Sequence, residues 1–260
     1  MGELRFAEFG ATLRWHEQGS GRPMVMLPAL SVPVMSVFAE MIREPELADR
    51  RLILIDYLGS GASDHPVGFD YGLAAHARCV AGVLEGLGLE AVDVLGHSMG
   101  GSVAIQLAMD HPRLVGRLGI GEGNLAPGGG ATSSRIMRFE RDAFVEGGCA
   151  ALGARLREVG SAWLADGWES ADPAGVWGNA AALVGLDPGF GDAFLSMDLP
   201  RTFIFGEASL AEGLAPDVPS PAVLENAGVR VAVIPGAGHA MFLDNPGACA
   251  RAVAEAFPAG

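Results

Sequence analysis

A chain of 260 residues, half of them hydrophobic and 18% charged, is long and apolar enough to bury a sizeable core, which excludes intrinsic disorder. The 31 acidic residues against 17 arginines, with no lysine, leave a net charge of −14; nucleic acid and anionic membrane surfaces are poor partners for such a chain, because both need basic patches. No apolar run reaches the roughly 20 residues of a membrane span, the first residues lack an apolar signal core, and Cys79, Cys149 and Cys249 form no CxxC pair, so the expectation is a cytoplasmic protein with reduced thiols and no zinc site.

In chain order, residues 4–9 and 12–18 read as a hairpin around Gly10. The turn Gly19-Ser20-Gly21 leads into a short buried strand at 24–27, and the run 51–57, rich in Ile and Leu, has the length of an interior parallel strand. Residues 71–87 have helical spacing, 91–96 read as strand, 99–110 as a helix stopped by Pro112, and 117–121 as a further strand. This alternation predicts a mostly parallel sheet covered by helices on both faces. From 125 to 197 strand signals vanish. That stretch opens with Pro127-Gly128-Gly129-Gly130 and carries helical segments with Trp163, Trp168 and Trp177. Strands return at 202–205 and 230–234, and Asn245-Pro246 opens a last amphipathic helix. The layout predicts a core built from 1–124 and 198–260, with a helical lid, 125–197, inserted between its halves.

The sharpest chemical signal is Gly96-His97-Ser98-Met99-Gly100, set between a predicted strand and a predicted helix. G-x-S-x-G needs that setting: a tight turn lifts the serine above the sheet, and small glycines let two backbone segments approach. The Met99 N–H, at the helix start, can then face a developing oxyanion. A second signal, Pro235-Gly236-Ala237-Gly238-His239, follows a strand and puts an imidazole at the carboxyl edge of the sheet, where a serine can meet it. The block from Asp56 to Asp64 reads as turn-stabilising chemistry, and Asp244 as a cap for the last helix.

Four ordered blocks, namely the loop after Leu27, the Asp56 to Asp64 block, the Ser98 elbow and the His239 loop, together resemble an α/β-hydrolase-fold protein. The likeness covers nearly the whole chain outside the predicted lid. It implies an α/β fold with an eight-stranded, mostly parallel sheet, Ser98 as nucleophile and His239 as general base. It further implies the N–H groups of Leu30 and Met99 as oxyanion donors, a small-molecule substrate, and neither cofactor nor metal. The chain departs from the family pattern twice. Pro28-Ala29 stands where His-Gly is frequent, and Gly206-Glu207-Ala208-Ser209 stands where many members have Gly-x-x-Asp, so Ser209 occupies the usual acid's place.

A triad still needs a carboxylate to orient the imidazole. Glu122, just past the strand after the elbow, resembles in position the acid of haloalkane dehalogenases and of fungal zearalenone lactonases; the lactonases also pair it with serine. The resemblance therefore implies Glu122 as the acid, with Glu207 as runner-up, and a serine nucleophile sets dehalogenase and epoxide-hydrolase chemistry aside. Trp177 is the tryptophan expected to line a substrate pocket, and His97 is given no catalytic role. The expected reaction is cleavage of an ester or lactone of a mid-sized hydrophobic molecule. Cofactor-free oxygenation or natural-product cyclisation on the same scaffold, and small-molecule reception without turnover, are the competing readings. Monomer and homodimer both stay open.

Overall fold

The computed structural model describes residues 1–214 and 217–258. Eight strands form one sheet in the order β1-β2-β4-β3-β5-β6-β7-β8. They are β1 (Gly2–Phe6), β2 (Ala11–Gln18), β3 (Arg22–Leu27), β4 (Arg50–Asp56), β5 (Val92–His97), β6 (Val115–Gly121), β7 (Arg201–Gly206) and β8 (Arg230–Ile234). The first two pairings, β1 with β2 and β2 with β4, are antiparallel; all the others are parallel. Every residue of β5 is buried, as is the apolar stretch of β3, so both faces of the central strands are covered. Edge strand β1 instead alternates half-buried and exposed positions, as a strand packed on one face does.

The covering helices follow from the apolar spacing. Helix α1 (Val34–Phe38) packs on β3 and β4, and α2 (Leu73–Gly86) packs on α3 (Met99–Asp110), which lies along β3, β5 and β6. The last helix, Pro246–Ala256, packs on β8. Between β6 and β7 the chain forms no strand; it runs through helices that include α4 (Gly130–Ile136), Cys149–Glu158, Ala162–Trp168, Pro173–Val184 and Phe190–Leu195. No helix among the described residues is long and apolar enough to cross a membrane. The three cysteines are free and buried, and burial pushes the Cys79 and Cys249 thiols up to about 12.

Two boundaries and one short helix differ from the sequence expectation. The hairpin's first strand stops at Phe6, and the chain then turns through left-handed Gly10 (φ 62°) into β2. Strand β6 starts at Val115, because Val92 pairs with Val115 ahead of a register shift. Helix α1 has too few residues to show a period in the sequence.

Side chains brace the two rims of the sheet differently. At the rim where the parallel strands begin, the fully buried Asp93 of β5 holds Arg50 at 2.8 Å, Arg117 at 2.6 Å and Arg22 at 3.2 Å, linking four strands. At the opposite rim, Asp56 accepts the N–H groups of Val34 (2.7 Å) and Ala62 (2.9 Å), and Ser63 Oγ donates to the Asp56 carbonyl at 2.7 Å. The Asp56 to Asp64 block is thus a braced turn that steadies the carboxyl edge, where ligands of open α/β sheets bind.

Candidate active site

Between β5 and α3 the chain reverses at a single residue. Ser98 sits at φ 54°, ψ −121°, a backbone region that costs an L-residue energy and persists only where its surroundings enforce it. The flanking glycines explain the enforcement. A Cβ on Gly96 would lie 2.2 Å from the Gly100 carbonyl oxygen, and one on Gly100 2.3 Å from that of Leu27, so neither position admits a side chain. The Ser98 N–H donates to the Gly121 carbonyl at 2.8 Å, fastening the elbow to the end of β6.

Glu122, the next residue past β6, is also left-handed (φ 44°), and its N–H donates to the Ile204 carbonyl at 3.1 Å. This turns the side chain inward, where it is 6% exposed. Its Oε1 accepts the Gly206 N–H at 2.8 Å; its Oε2 accepts the Ser209 hydroxyl at 3.2 Å and the His239 Nδ1–H at 2.7 Å. Burial pushes the Glu122 pKa up, but the hydrogen bonds from His239, Gly206 and Ser209 outweigh it and hold the carboxyl below its usual range. With a carboxylate on Nδ1–H, the lone pair of His239 Nε2 faces Ser98 Oγ, 3.1 Å away. A proton can therefore leave the hydroxyl for the ring while the carboxylate stabilises the resulting imidazolium.

The His239 loop is fastened from several sides. The runner-up acid, Glu207, does not reach the imidazole: its Oε2 accepts the Gly236 N–H at 2.8 Å. Asp244 does not cap the last helix, as expected from its position; its Oδ2 accepts the Gly238 N–H at 2.9 Å. The cap is Asn245, whose Oδ1 accepts the Ala248 N–H while its Nδ2 donates to the Pro235 carbonyl. His97 is a fourth fastening, and one the sequence reading passed over. Its Nε2–H donates to the His239 carbonyl at 2.8 Å, and burial together with the neighbouring His239 lowers its pKa to about 3, so the ring stays neutral.

Leu30 and Met99 both lie close to Ser98. Leu30 lines the same cavity, Met99 is the first residue of α3, and neither N–H donates to a protein acceptor among the described residues. The helices between β6 and β7 fix the Leu30 loop. Trp168 Nε1–H donates to the Leu30 carbonyl at 3.0 Å, and Asn179 Nδ2 donates to Ser31 Oγ at 2.8 Å. Asn179 Oδ1 in turn accepts the Nε2–H of His76 at 2.8 Å, and burial drives the His76 pKa down to about 4. Asn179 and His76 are not singled out by the sequence, and Trp168 stands out only as one of three tryptophans between residues 125 and 197. A usable signal was Asn179 itself, the one hydrogen-bonding side chain inside Pro173–Val184 that is not an indole.

A cavity of about 520 Å³ opens over Ser98 and His239, with Trp163, Leu164, Leu183 and Leu214 in its wall. Trp177 is not among its lining residues, which corrects the expectation for that side chain. Its indole N–H donates to the Phe139 carbonyl at 3.1 Å, and the ring lines a separate hollow of about 320 Å³ beside Phe69 and Tyr71. The reason is helical phase: at about 100° per residue, Trp177 and Leu183 point roughly 120° apart on one helix, and Leu183 has the cavity side. Trp163 supplies the cavity's indole instead.

A family model described as the alpha/beta hydrolase fold matches residues 22–120. Over 111 residues the chain is 37% identical to 2-hydroxymuconate semialdehyde hydrolase from Pseudomonas sp. (strain CF600); the match covers 42% of this chain and 39% of that protein, so it spans about two fifths of the relative's length. Solved structures extend the likeness to nearly the whole chain. An esterase from Exiguobacterium antarcticum superposes with a TM-score of 0.75 at 23% identity, covering 95% of each chain. An enol-lactonase from Burkholderia xenovorans LB400 gives a TM-score of 0.75 at 19% identity, covering 95% of this chain and 96% of that one. With its sheet order, its strained elbow and these likenesses in agreement, the chain has the α/β-hydrolase fold.

Proposed function

We propose that this chain is a serine hydrolase that cleaves a carboxylic ester or lactone of a mid-sized, largely hydrophobic molecule through an acyl-enzyme on Ser98. The observation that carries the reading is the continuous hydrogen-bond path from Ser98 Oγ to His239 (3.1 Å) and from His239 to the buried Glu122 (2.7 Å) at the floor of a cavity. Ser98 Oγ attacks the substrate carbonyl carbon as His239 Nε2 takes its proton. The carbonyl oxygen becomes an oxyanion facing the Leu30 and Met99 N–H groups, each worth about 3 kcal/mol in the transition state. His239 then gives the proton to the departing alkoxide oxygen, and the C–O bond breaks to leave the acyl-serine. Water, deprotonated by the same ring, releases the acid and restores Ser98.

Glu122 holds the ring in the working tautomer throughout. These groups handle every proton transfer, so the reading calls for no cofactor. A cavity of about 520 Å³ suits a drug-sized molecule, and residues 125–197 act as its lid. Three buried, free thiols agree with work in a reducing cytoplasm.

The test is labelling plus turnover. A fluorophosphonate should form one adduct on Ser98, and wild type should release para-nitrophenol from a panel of esters. Ser98→Ala should lose both while its unfolding curve stays cooperative. An unlabelled Ser98 with no product from any ester or lactone would sink the acyl-enzyme. A second reading, hydrolysis of an acidic semialdehyde of the Pseudomonas relative's kind, has that relative's 37% identity in its favour. The charges lining this cavity favour the first reading.

A further inference from the structure

One polar feature of the cavity wall has no part in the chemistry above. Asn124 and Asp217 both line the cavity and are 8% and 3% exposed. Asn124 Nδ2 donates to Asp217 Oδ2. Both are fixed through their backbones as well: the Leu125 N–H donates to the Asp217 carbonyl at 2.9 Å, and Ser102 Oγ donates to the Asn124 carbonyl at 2.9 Å. Left-handed Gly130 (φ 66°) brings the start of α4 against them, so that a Cβ there would meet Asn124 Nδ2 at 3.7 Å and Asp217 Oδ2 at 3.9 Å.

The pair is short of donors. Among the described residues Asn124 Oδ1 is buried with no partner, and the hydrogen bond that Asp217 accepts on its side chain goes to Oδ2, leaving Oδ1 open. A carboxylate can accept about four hydrogen bonds, and burying acceptors without donors is unfavourable unless another molecule supplies them. The charged groups around the cavity tell the same story. Glu122 is engaged by His239, which leaves Glu212 and Asp217 against one arginine, the exposed Arg135.

We propose that Asn124 and Asp217 form an acceptor subsite that binds a hydroxyl donor on an uncharged ester or lactone substrate and turns away substrates with a carboxylate at that end. The inference rests on the hydrolase reading of the same cavity and adds its substrate class: hydroxylated, neutral and, given the apolar wall, aromatic or alicyclic. Acceptors that lack a donor discriminate strongly, because an analogue without the hydroxyl leaves them unsatisfied, and a second anion beside Asp217 adds repulsion.

The experiment uses para-nitrophenyl esters of phenylacetic, phenylpropanoic and phenylbutanoic acids, each with a para-hydroxy, unsubstituted or para-carboxy ring. In wild type the best hydroxy ester should exceed its unsubstituted partner in kcat/KM on the order of tenfold, with the carboxy ester the poorest of the three. Asp217→Ala should bring the hydroxy-to-unsubstituted ratio close to one, and the isosteric Asp217→Asn should selectively improve the carboxy ester. A wild-type ratio near one, a preference for the carboxy ester, or a hydroxy preference unchanged in Asp217→Ala would each overturn the subsite.

A binding arm separates this from the parent reading. Titration calorimetry on Ser98→Ala, with the matching methyl ketones, should show the hydroxyphenyl ketone binding about tenfold tighter than the phenyl ketone. If the ketones discriminate while Ser98 goes unlabelled, the acyl-enzyme fails and the subsite stands. If esters turn over through Ser98 with no discrimination in either arm, the subsite fails and the hydrolase stands.

Discussion

Two neighbouring strand ends, those of β6 and β7, treat the same carboxylate in opposite ways. At the end of β6, Glu122 takes a left-handed backbone and brings a buried charge to His239 Nδ1. At the end of β7, Gly206 and Ser209 bring an N–H and a hydroxyl to that charge, while Glu207, the acidic residue on this side, turns off to the Gly236 N–H. One end supplies the anion and the other supplies its solvation. The neighbouring strand end thus replaces the water that the Glu122 carboxylate loses on burial.

The strongest way to break this comparison is Glu122→Gln. The Gly206 N–H keeps an acceptor, but an amide N–H now faces His239 Nδ1, and the ring is driven to the tautomer whose Nε2–H points at Ser98. In the proposed mechanism kcat/KM should fall about 10³–10⁴-fold, as expected when an orienting acid loses its charge. Adding Ser209→Asp moves the anion to β7 and should recover part of the loss, measurable by ester kinetics on both variants. A loss of only a few fold in Glu122→Gln would mean that the acid lies elsewhere.

The next largest effect concerns stability and involves the neutral histidines that brace the loops on either side of Ser98. His97 has a folded pKa of about 3 and His76 of about 4, both lowered by burial from about 6.5. Below pH 6.5 the unfolded chain binds protons that the folded chain refuses. Stability from these rings is therefore complete above pH 6.5 and drains away as pH falls toward 3 to 4. By pH 4 each should have cost about 3 kcal/mol. His97→Gln keeps an N–H for the His239 carbonyl but cannot titrate, so denaturant unfolding between pH 7 and 4 should show a shallower slope than in wild type. An unchanged slope would remove His97 from the account.

The sequence exposed these features unevenly, for physical reasons. The strand–turn–helix at Ser98 was legible because an apolar run, a glycine pair and an apolar helix are each local, and α3 spans 99–110 as its spacing predicts. Glu122 was legible as a position, but the donors that keep it ionised come from residues more than eighty positions away and show no local signal. Trp177 misled because helical spacing tells which residues share a face, not which face meets the cavity. Asp244 was misassigned because the loop before the last helix needs two acceptors, and backbone geometry decides which side chain reaches which N–H.

Smaller substitutions sharpen the division between the two strand ends. Ser209→Ala removes one hydrogen bond from Glu122 Oε2 and leaves those from His239 and Gly206. The hydroxyl helps hold the Glu122 pKa down, so its loss moves that pKa upward. The acidic limb of the kcat/KM profile should shift to higher pH, with a several-fold lower plateau. A profile that superposes on wild type would show that the β7 hydroxyl does nothing for the carboxylate.

Glu207→Gln should do least. The Gln Oε1 can still accept the Gly236 N–H, so the turn leading to His239 keeps its fastening, and the lost charge faces exposed loop rather than the imidazole. Activity should stay within about twofold of wild type, since hydrogen bonds at exposed positions are worth little once an acceptor remains. Glu207→Ala removes the acceptor altogether and should cost more than Gln while the acidic limb of the profile stays in place. A Glu207→Gln variant as inactive as Glu122→Gln would reverse the assignment of anion and solvation between the strand ends, because it would put the functional charge on β7.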